Sequence, residues 1–147
     1  MPASSSGDET RDVHASIAKL ANLLTRSLAP ELARYRITPQ QWSVLVAVAE
    51  ADQEPSLAAV SREMMVSKQN MTGMIARLDS LGLIRRVGDP DDLRASMLRL
   101  TSRGQQLIDA VSPIYRKWSE DVLGVLTESE RRTLMRAIVR LTEHLGT

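Results

Sequence analysis

Residues 67–104, SKQNMTGMIARLDSLGLIRRVGDPDDLRASMLRLTSRG, decide the fold class because a helical pattern gives way to two strand-like runs. Ser67 is a residue type that caps helix N-termini, and Gly82 is the type that most often follows a helix end. Between them the apolar residues recur at helical spacing: Met71, Ile75, Leu78 and Leu81. The runs LIRRV and SMLRLT are short and apolar enough to be strands, with an acidic loop between them. This stretch predicts a helix followed by a β-hairpin.

A shorter helix is predicted directly before this one. The run PSLAAVSREMM favours a helix from Ser56 to about Met64, and the intervening VS separates it from the helix that starts at Ser67. Two helices joined by a tight turn form a helix-turn-helix, and a hairpin after the second helix makes the unit a winged helix.

Further helices are predicted on both sides of this unit. An apolar stripe of Val13, Ile17, Leu20, Leu24 and Leu28 precedes it, with Pro30 near the end of that helix or at a kink. Capping residues mark the helix starts: Asp8, Thr38 with Pro39 and Gln41, Thr101, and Thr127 with Glu130. The last helix carries Leu134, Ile138, Leu141 and Leu145 on one side. The chain is therefore predicted to be mainly α with one small β element.

Composition excludes several classes of function. The chain has no cysteine, which excludes disulfides, cysteine-based metal sites and thiol redox sensing. No segment approaches the roughly 18 apolar residues of a membrane span, and the polar start lacks a signal-peptide core, so we expect a cytoplasmic protein without a membrane partner. His14 and His144 are far apart, so we expect no metal and no cofactor. The absence of a nucleophile with a base and of a phosphate-binding glycine loop argues against an enzyme.

The second helix of the pair has a face suited to DNA. The side opposite its apolar stripe is polar or small, and the candidate contact residues are Ser67, Lys68, Gln69, Asn70, Thr72, Gly73 and Arg77. The amides of Gln69 and Asn70 can bond base edges, and Lys68 favours phosphate. Residues 56–104 hold eight basic against five acidic residues, although the whole chain carries only +1. The alternative is a solvent-exposed polar face with a tolerated glycine.

The loop of the hairpin is interpreted as the wing. An arginine there, Arg94, could reach the minor groove, whose negative potential attracts it. Asp92 could fix the side chain of Arg94 or brace the loop through Arg85 or Arg86. Pro90 would stiffen the loop. The alternative is a solvated turn in which Asp-Pro is only a loop former.

Residues 67–104 resemble the core of the MarR (multiple antibiotic resistance regulator) family. That family's recognition helix runs into R-L-x-x-x-G-L-I, and a wing with D-x-R leads to L-x-L-T-x-x-G. The matching residues are Arg77, Leu78, Gly82, Leu83 and Ile84, then Asp92 and Arg94, then Leu98, Leu100, Thr101 and Gly104. The segment ITPQQWSVL also resembles the family, and the helix order matches from about residue 12 onward. One departure is Leu93, where the family often has a basic residue; this leucine is expected to weaken the attraction of the wing tip to phosphate or to give it an apolar contact.

The resemblance implies a homodimer whose first and last helices interlock. The sequence supports a dimer independently, because three apolar-striped terminal helices exceed what the central unit can cover; the alternative is an intramolecular bundle. The predicted segments are a disordered tail (1–8), an N-terminal dimerisation helix (9–36), a winged helix-turn-helix DNA-binding domain (37–101) and C-terminal dimerisation helices (102–147). Such a dimer would place two recognition helices in successive major grooves of a pseudo-palindromic operator and would most simply act as a repressor.

Relatives often respond to small aromatic or phenolic anions, which implies a ligand pocket here. The candidates by position are Arg34, Tyr35, Trp42, Tyr115 and Trp118. Trp42 and Trp118 also sit at helical spacing with aliphatic residues, which favours core packing for both. A further alternative is that the winged helix binds another protein, although the exposed face of the second helix lacks the apolar patch which that role requires.

Overall fold

The computed structural model describes residues 6–88, 91–92 and 95–146. Six helices and a two-stranded antiparallel sheet follow one another as α1 Ser6–Ala33, α2 Pro39–Glu50, α3 Leu57–Glu63, α4 Lys68–Ser80, β1 Ile84–Val87, β2 Met97–Leu100, α5 Ser102–Leu123 and α6 Glu128–Leu145. This order confirms the predicted winged helix-turn-helix with flanking helices. Pro30 lies inside α1, and Pro113 lies inside α5.

The predicted helix starts are confirmed at most positions. Thr38 and Gln41 form a reciprocal capping box at α2, with hydrogen bonds of 3.2 and 3.0 Å. Thr127 and Glu130 form a second at α6, where the backbone N–H of Thr127 donates to the carboxylate and lowers the pKa of Glu130. Ser67 caps α4 by accepting from the backbone N–H of Asn70. These caps satisfy N–H groups that a helix start leaves without partners.

The start of α1 differs from the prediction. The helix begins at Ser6, so the predicted N-cap Asp8 lies inside it and residues 6–8 are helical instead of belonging to a disordered tail. Extending an existing helix by one residue costs little compared with nucleating it, so a polar stretch can continue a helix beyond its last apolar residue. Residues 1–5 lie outside the described part of the chain.

The sheet has one backbone contact that the predicted hairpin did not include. In the antiparallel pair, Arg85 faces Arg99 and Arg86 faces Leu98. The chain just before α3 adds a third, single-residue contact, because Ser56 bridges to Met97. Two backbone hydrogen bonds hold it there, from Leu57 N–H to the carbonyl of Ser96 (3.0 Å) and from Leu98 N–H to that of Pro55 (2.8 Å). The wing is thereby joined to the beginning of the helix-turn-helix.

The chain divides into two compact units, Met1–Ser112 and Pro113–Thr147. The core of the first unit is built from the buried faces of α1 to α4, the strands and the first half of α5. Its fully buried side chains include Leu32, Val44, Leu45, Leu57, Val60, Met71, Ile75, Leu78, Ile84, Leu98 and Val111. The predicted buried face of α4 is therefore confirmed at Met71, Ile75 and Leu78. The C-terminal end of α1 belongs to this core through Leu28 and Leu32, whereas Val13 and Ile17 near its beginning are exposed.

Close contacts join the end of α4 to the start of α5. Gly82 ends α4 with φ +74°, and the hydroxyl of Thr101 donates to its carbonyl at 2.6 Å. Gly104 packs so closely that a Cβ there would lie 2.2 Å from the carbonyl oxygen of Leu83, so only glycine fits. The L-T-x-x-G motif therefore holds the first turn of α5 against the end of α4.

The second unit exposes most of its apolar side chains. No described residue of α6 is buried, and the predicted stripe of Leu134, Ile138, Leu141 and Leu145 is between 39% and 76% exposed. Such a stripe on a helix needs a partner surface to be stable in water.

Candidate DNA-binding surface

The exposed face of α4 has the polar character predicted for it. Lys68, Gln69, Asn70 and Arg77 are exposed, as are the cap Ser67 and the central Gly73, while Thr72 is half-buried. The hydroxyl of Thr72 donates to the backbone carbonyl of Lys68 at 2.8 Å. That hydrogen bond occupies the only donor of the Thr72 side chain, so its methyl group and the acceptor side of its hydroxyl are left for a partner.

The described part of the chain gives no packing reason for a glycine at position 73. Apart from the two adjacent residues and the backbone of its own helix, no described heavy atom lies within 4 Å of a Cβ built there. Glycine in a helix interior costs about 1 kcal/mol relative to alanine. The chain therefore keeps a destabilising residue at the middle of an exposed helix face, and this is the property expected where a second molecule approaches the backbone closely.

The root of the wing is held by a hydrogen-bonded cluster around Ser96, which is completely buried. The guanidinium Nε of Arg86 donates to the hydroxyl of Ser96 (3.1 Å), and that hydroxyl donates to the backbone carbonyl of Asp92 (3.0 Å). Arg86 and Asp92 are thus connected through Ser96, a residue that the sequence pattern did not single out. Leu93 and Arg94 lie outside the described residues, so the predicted placement of the wing arginine stays a prediction.

The outer face of the hairpin carries a charge pair that was not predicted. Arg99 and Glu54 form an ion pair, and the hydrogen bond to the Glu54 carboxylate, together with its negative charge, raises the pKa of Arg99. Arg99 lies opposite the exposed Arg85. Like charges directly opposite each other destabilise a sheet, and Glu54 offsets that repulsion. Exposed ion pairs contribute little to stability. Glu54 pairs with Arg99, and Arg85 is exposed, so Arg85 stays available for an anionic partner.

The predicted ligand-pocket residues lie in both compact units, so the pocket that they would form stays a prediction. Trp42 is 5% exposed in the core of the first unit, in agreement with the core interpretation, and Arg34 is exposed. Tyr115 and Trp118 lie in the second unit with ring centroids 5.7 Å apart. Tyr35 borders a cavity with a volume of about 320 Å³. Its other lining residues were not predicted: Arg36, Leu81, Leu83, Arg103, Gln106, Leu107 and Ala110.

The described residues offer neither a metal site nor a membrane-spanning helix. Among the described residues, no group of three or more histidines, cysteines or carboxylates could hold a metal ion. Within the same ranges, no helix has the length and apolar character to cross a membrane.

The winged helix is similar to a known protein family. The model of the MarR family matches residues 37–95, which contain α2 to α4, β1 and the wing loop. Over these residues the chain is similar to the MarR family. Curated relatives of the chain are named as transcriptional regulators: BilQ of Clostridioides difficile is 29% identical over 69% of this chain and 68% of its own length, and HosA of Escherichia coli O111:H- is 29% identical over 71% and 77%.

Solved structures confirm the fold. AbsC of Streptomyces coelicolor, a MarR family regulator, superposes with a TM-score of 0.82 at 22% identity over 94% of this chain and 95% of that one. MepR of S. aureus in complex with DNA superposes with a TM-score of 0.79 at 17% identity over 89% and 96%. The matched family, the curated relatives and the fold are those of transcriptional regulators and not those of enzymes.

Proposed function

We propose that this regulator is a homodimeric repressor that binds a pseudo-palindromic operator and is released by a small aromatic or phenolic anion. The observation that carries the DNA-binding surface is the exposed polar face of α4 with Gly73 at its centre. Base contacts would come from Gln69 and Asn70, and phosphate contacts from Lys68 and Arg77. The proposed place of action is the cytoplasm.

The dimer is supported by the apolar side chains that the single chain leaves uncovered. On α1 these are Val13, Ile17, Leu20 and Leu23, which are 48–57% exposed. On α6 the stripe around Ile138 is exposed along the whole helix. A second copy can bury both surfaces symmetrically, and a two-fold axis would separate the two recognition helices by about 34 Å, one turn of duplex. Occupation of such a site within a promoter would exclude polymerase.

The wing arginine is proposed as the minor-groove contact. Arg94→Ala is expected to lower operator affinity about tenfold or more, because an arginine in the narrow minor groove gains from its negative potential. A gel-shift titration measures this, with Arg116→Ala, which removes the same charge from an exposed site on α5, as the control. Equal affinity of wild type and Arg94→Ala would contradict the role of the wing.

A ligand is supported by the cavity beside Tyr35. Two guanidinium groups, Arg36 and Arg103, line it together with the apolar side chains of Leu83 and Leu107. This combination suits a flat anion with an aromatic body. A structural relative, MarR of Staphylococcus aureus, was solved in complex with salicylate and kanamycin; it superposes with a TM-score of 0.79 at 20% identity.

Salicylate is expected to change the tryptophan fluorescence of the protein and to weaken its hold on DNA. Arg103→Gln should reduce both effects, since it removes one of the two cationic groups of the cavity. A fluorescence titration and a competition gel shift measure the two responses. An unchanged fluorescence together with unchanged DNA affinity would exclude this ligand class.

The experiment that tests the whole proposal is selection of bound fragments from the host genome with purified protein. We expect the recovered fragments to share a pseudo-palindrome that overlaps a promoter. Recovery of no shared site would favour the alternative in which the winged helix binds another protein. A shared site upstream of the promoter elements would instead indicate activation.

A further inference from the structure

A cleft lies beside the N-terminal half of α4, on the flank of the exposed face. Its volume is about 430 Å³, and its lining residues are Gln40, Met65, Val66, Ser67, Asn70 and Met74. Asn70 belongs both to this cleft and to the polar face of the helix. The cleft is therefore continuous with the proposed DNA-binding surface, but its residues come from the start of α2 and the turn before α4 as well.

The position of the cleft on the helix indicates which part of a duplex could enter it. Gln69, Gly73 and Arg77 follow one another at helical spacing along the middle of the exposed face, and Asn70 and Met74 lie one turn apart on its flank. A helix with its side chains is about 10–12 Å wide, and the major groove is about 12 Å wide. When the middle of the face points at the bases, the flank lies against one sugar-phosphate strand.

The polar lining of the cleft is uncharged. The side-chain amides of Gln40 and Asn70 are exposed, and neither has a hydrogen bond to another residue within the described part of the chain. The cleft contains no lysine or arginine among its described lining residues. Amide N–H groups can donate to phosphate oxygens without neutralising the charge of the phosphate.

The apolar lining comes from two methionines. Met65 is 77% exposed and has φ +55°, a left-handed conformation that is strained for any residue with a side chain. Glycine would relieve this strain, yet the chain places a large apolar side chain there. Met74 is half-buried on the other side of the cleft. Flexible thioether side chains fit irregular apolar surfaces such as the carbon face of a deoxyribose.

We propose that this cleft binds one deoxyribose-phosphate unit of the operator, with Gln40 and Asn70 donating to the phosphate and Met65 and Met74 packing on the sugar. The inference rests on the proposed DNA-binding surface and extends it to a second element, the start of α2. Because the contact is uncharged, it strengthens binding to every DNA sequence and releases no additional counterion.

Binding of a labelled duplex, measured by fluorescence anisotropy over a range of salt concentrations, tests the proposal. The probes are a genomic fragment recovered by selection and a random-sequence duplex of the same length. Gln40→Ala is expected to lower affinity about tenfold on both probes, since one hydrogen bond to a charged group is lost. The slope of log affinity against log salt should stay unchanged, whereas Lys68→Ala should reduce it by about one.

Two further variants control for folding and for the loss of any glutamine. Met65→Gly should raise or preserve the melting temperature while lowering affinity on both probes. Gln105→Ala removes an exposed glutamine of α5, which bonds Asp109, and should leave affinity unchanged.

The outcomes separate this inference from the proposed function. Wild-type affinity for Gln40→Ala overturns the cleft contact while leaving the regulator's other DNA contacts intact. A loss confined to the genomic fragment would assign the cleft to a base, such as a thymine methyl group, and overturn the sugar-phosphate assignment. A wild-type protein that binds neither duplex overturns the proposed function and this inference together.

Discussion

Gly73→Leu is expected to lower operator affinity about a hundredfold or more while making the protein more stable. The leucine side chain would project from the middle of the α4 face and keep the helix from approaching the base edges, which removes contacts from Gln69 and Asn70 together. Outside its own turn of helix, no described atom lies within 4 Å of a Cβ at this position, so the substitution is accommodated without strain. Removing a glycine from the helix interior should raise the free energy of unfolding by about 0.5–1 kcal/mol.

Gel-shift titration and thermal unfolding measure the two effects in parallel. Gln105→Leu provides the matched control, because it places the same side chain at an exposed position of α5. Gly73→Ala should lie between wild type and Gly73→Leu in affinity. A Gly73→Leu protein that binds its operator like wild type would show that the α4 face does not enter the groove.

Ile138→Asp is expected to convert the proposed dimer into a monomer and to abolish tight operator binding. An interface can bury only the exposed half of Ile138, which contributes about 1 kcal/mol in each copy and about 2 kcal/mol in the dimer. Desolvating the two carboxylates adds a cost of several kcal/mol, and together these losses raise the dimer dissociation constant about a thousandfold or more. Because Ile138 is 49% exposed in the single chain, its replacement should leave the fold of the chain intact.

Analytical ultracentrifugation and circular dichroism distinguish dissociation from unfolding. Thr133→Asp is the control, since Thr133 lies on α6 away from the apolar stripe and is exposed. Only Ile138→Asp should sediment as a monomer, with the helical signal retained. A dimer that survives Ile138→Asp would mean that the α6 stripe is covered in another way.

The sequence was most informative where a local signal defines a local structure. The capping boxes at Thr38 and Thr127, the cap at Ser67 and the left-handed Gly82 each follow from residue types within a few positions of one another. The helix pattern and the hairpin between them were sufficient to predict the winged helix. The exposed face of α4 followed from the same periodicity.

Features that depend on distant segments could not be predicted in this way. The bridge from Ser56 to Met97 involves one residue on each side and leaves no alternating pattern to detect. The two arginines that line the cavity beside Tyr35 come from distant parts of the sequence. Arg36 lies in the loop after α1, and Arg103 lies at the start of α5. Trp42 was predicted for the ligand pocket because it is aromatic, but it is buried in the core. The positive φ angle of Met65 could not be predicted either, because methionine is not a residue type that marks a left-handed backbone.

The close approach at the base of the wing has a consequence for how such regulators can diverge. At Gly88, a Cβ would lie 2.3 Å from the carbonyl oxygen of Ala95, so the two ends of the loop already touch. Once its ends are held together, doubling the length of a loop costs only about 0.6 kcal/mol of closure entropy. Insertions between these two residues are therefore thermodynamically inexpensive, and evolution can adjust the reach of the wing while the rest of the domain stays constant.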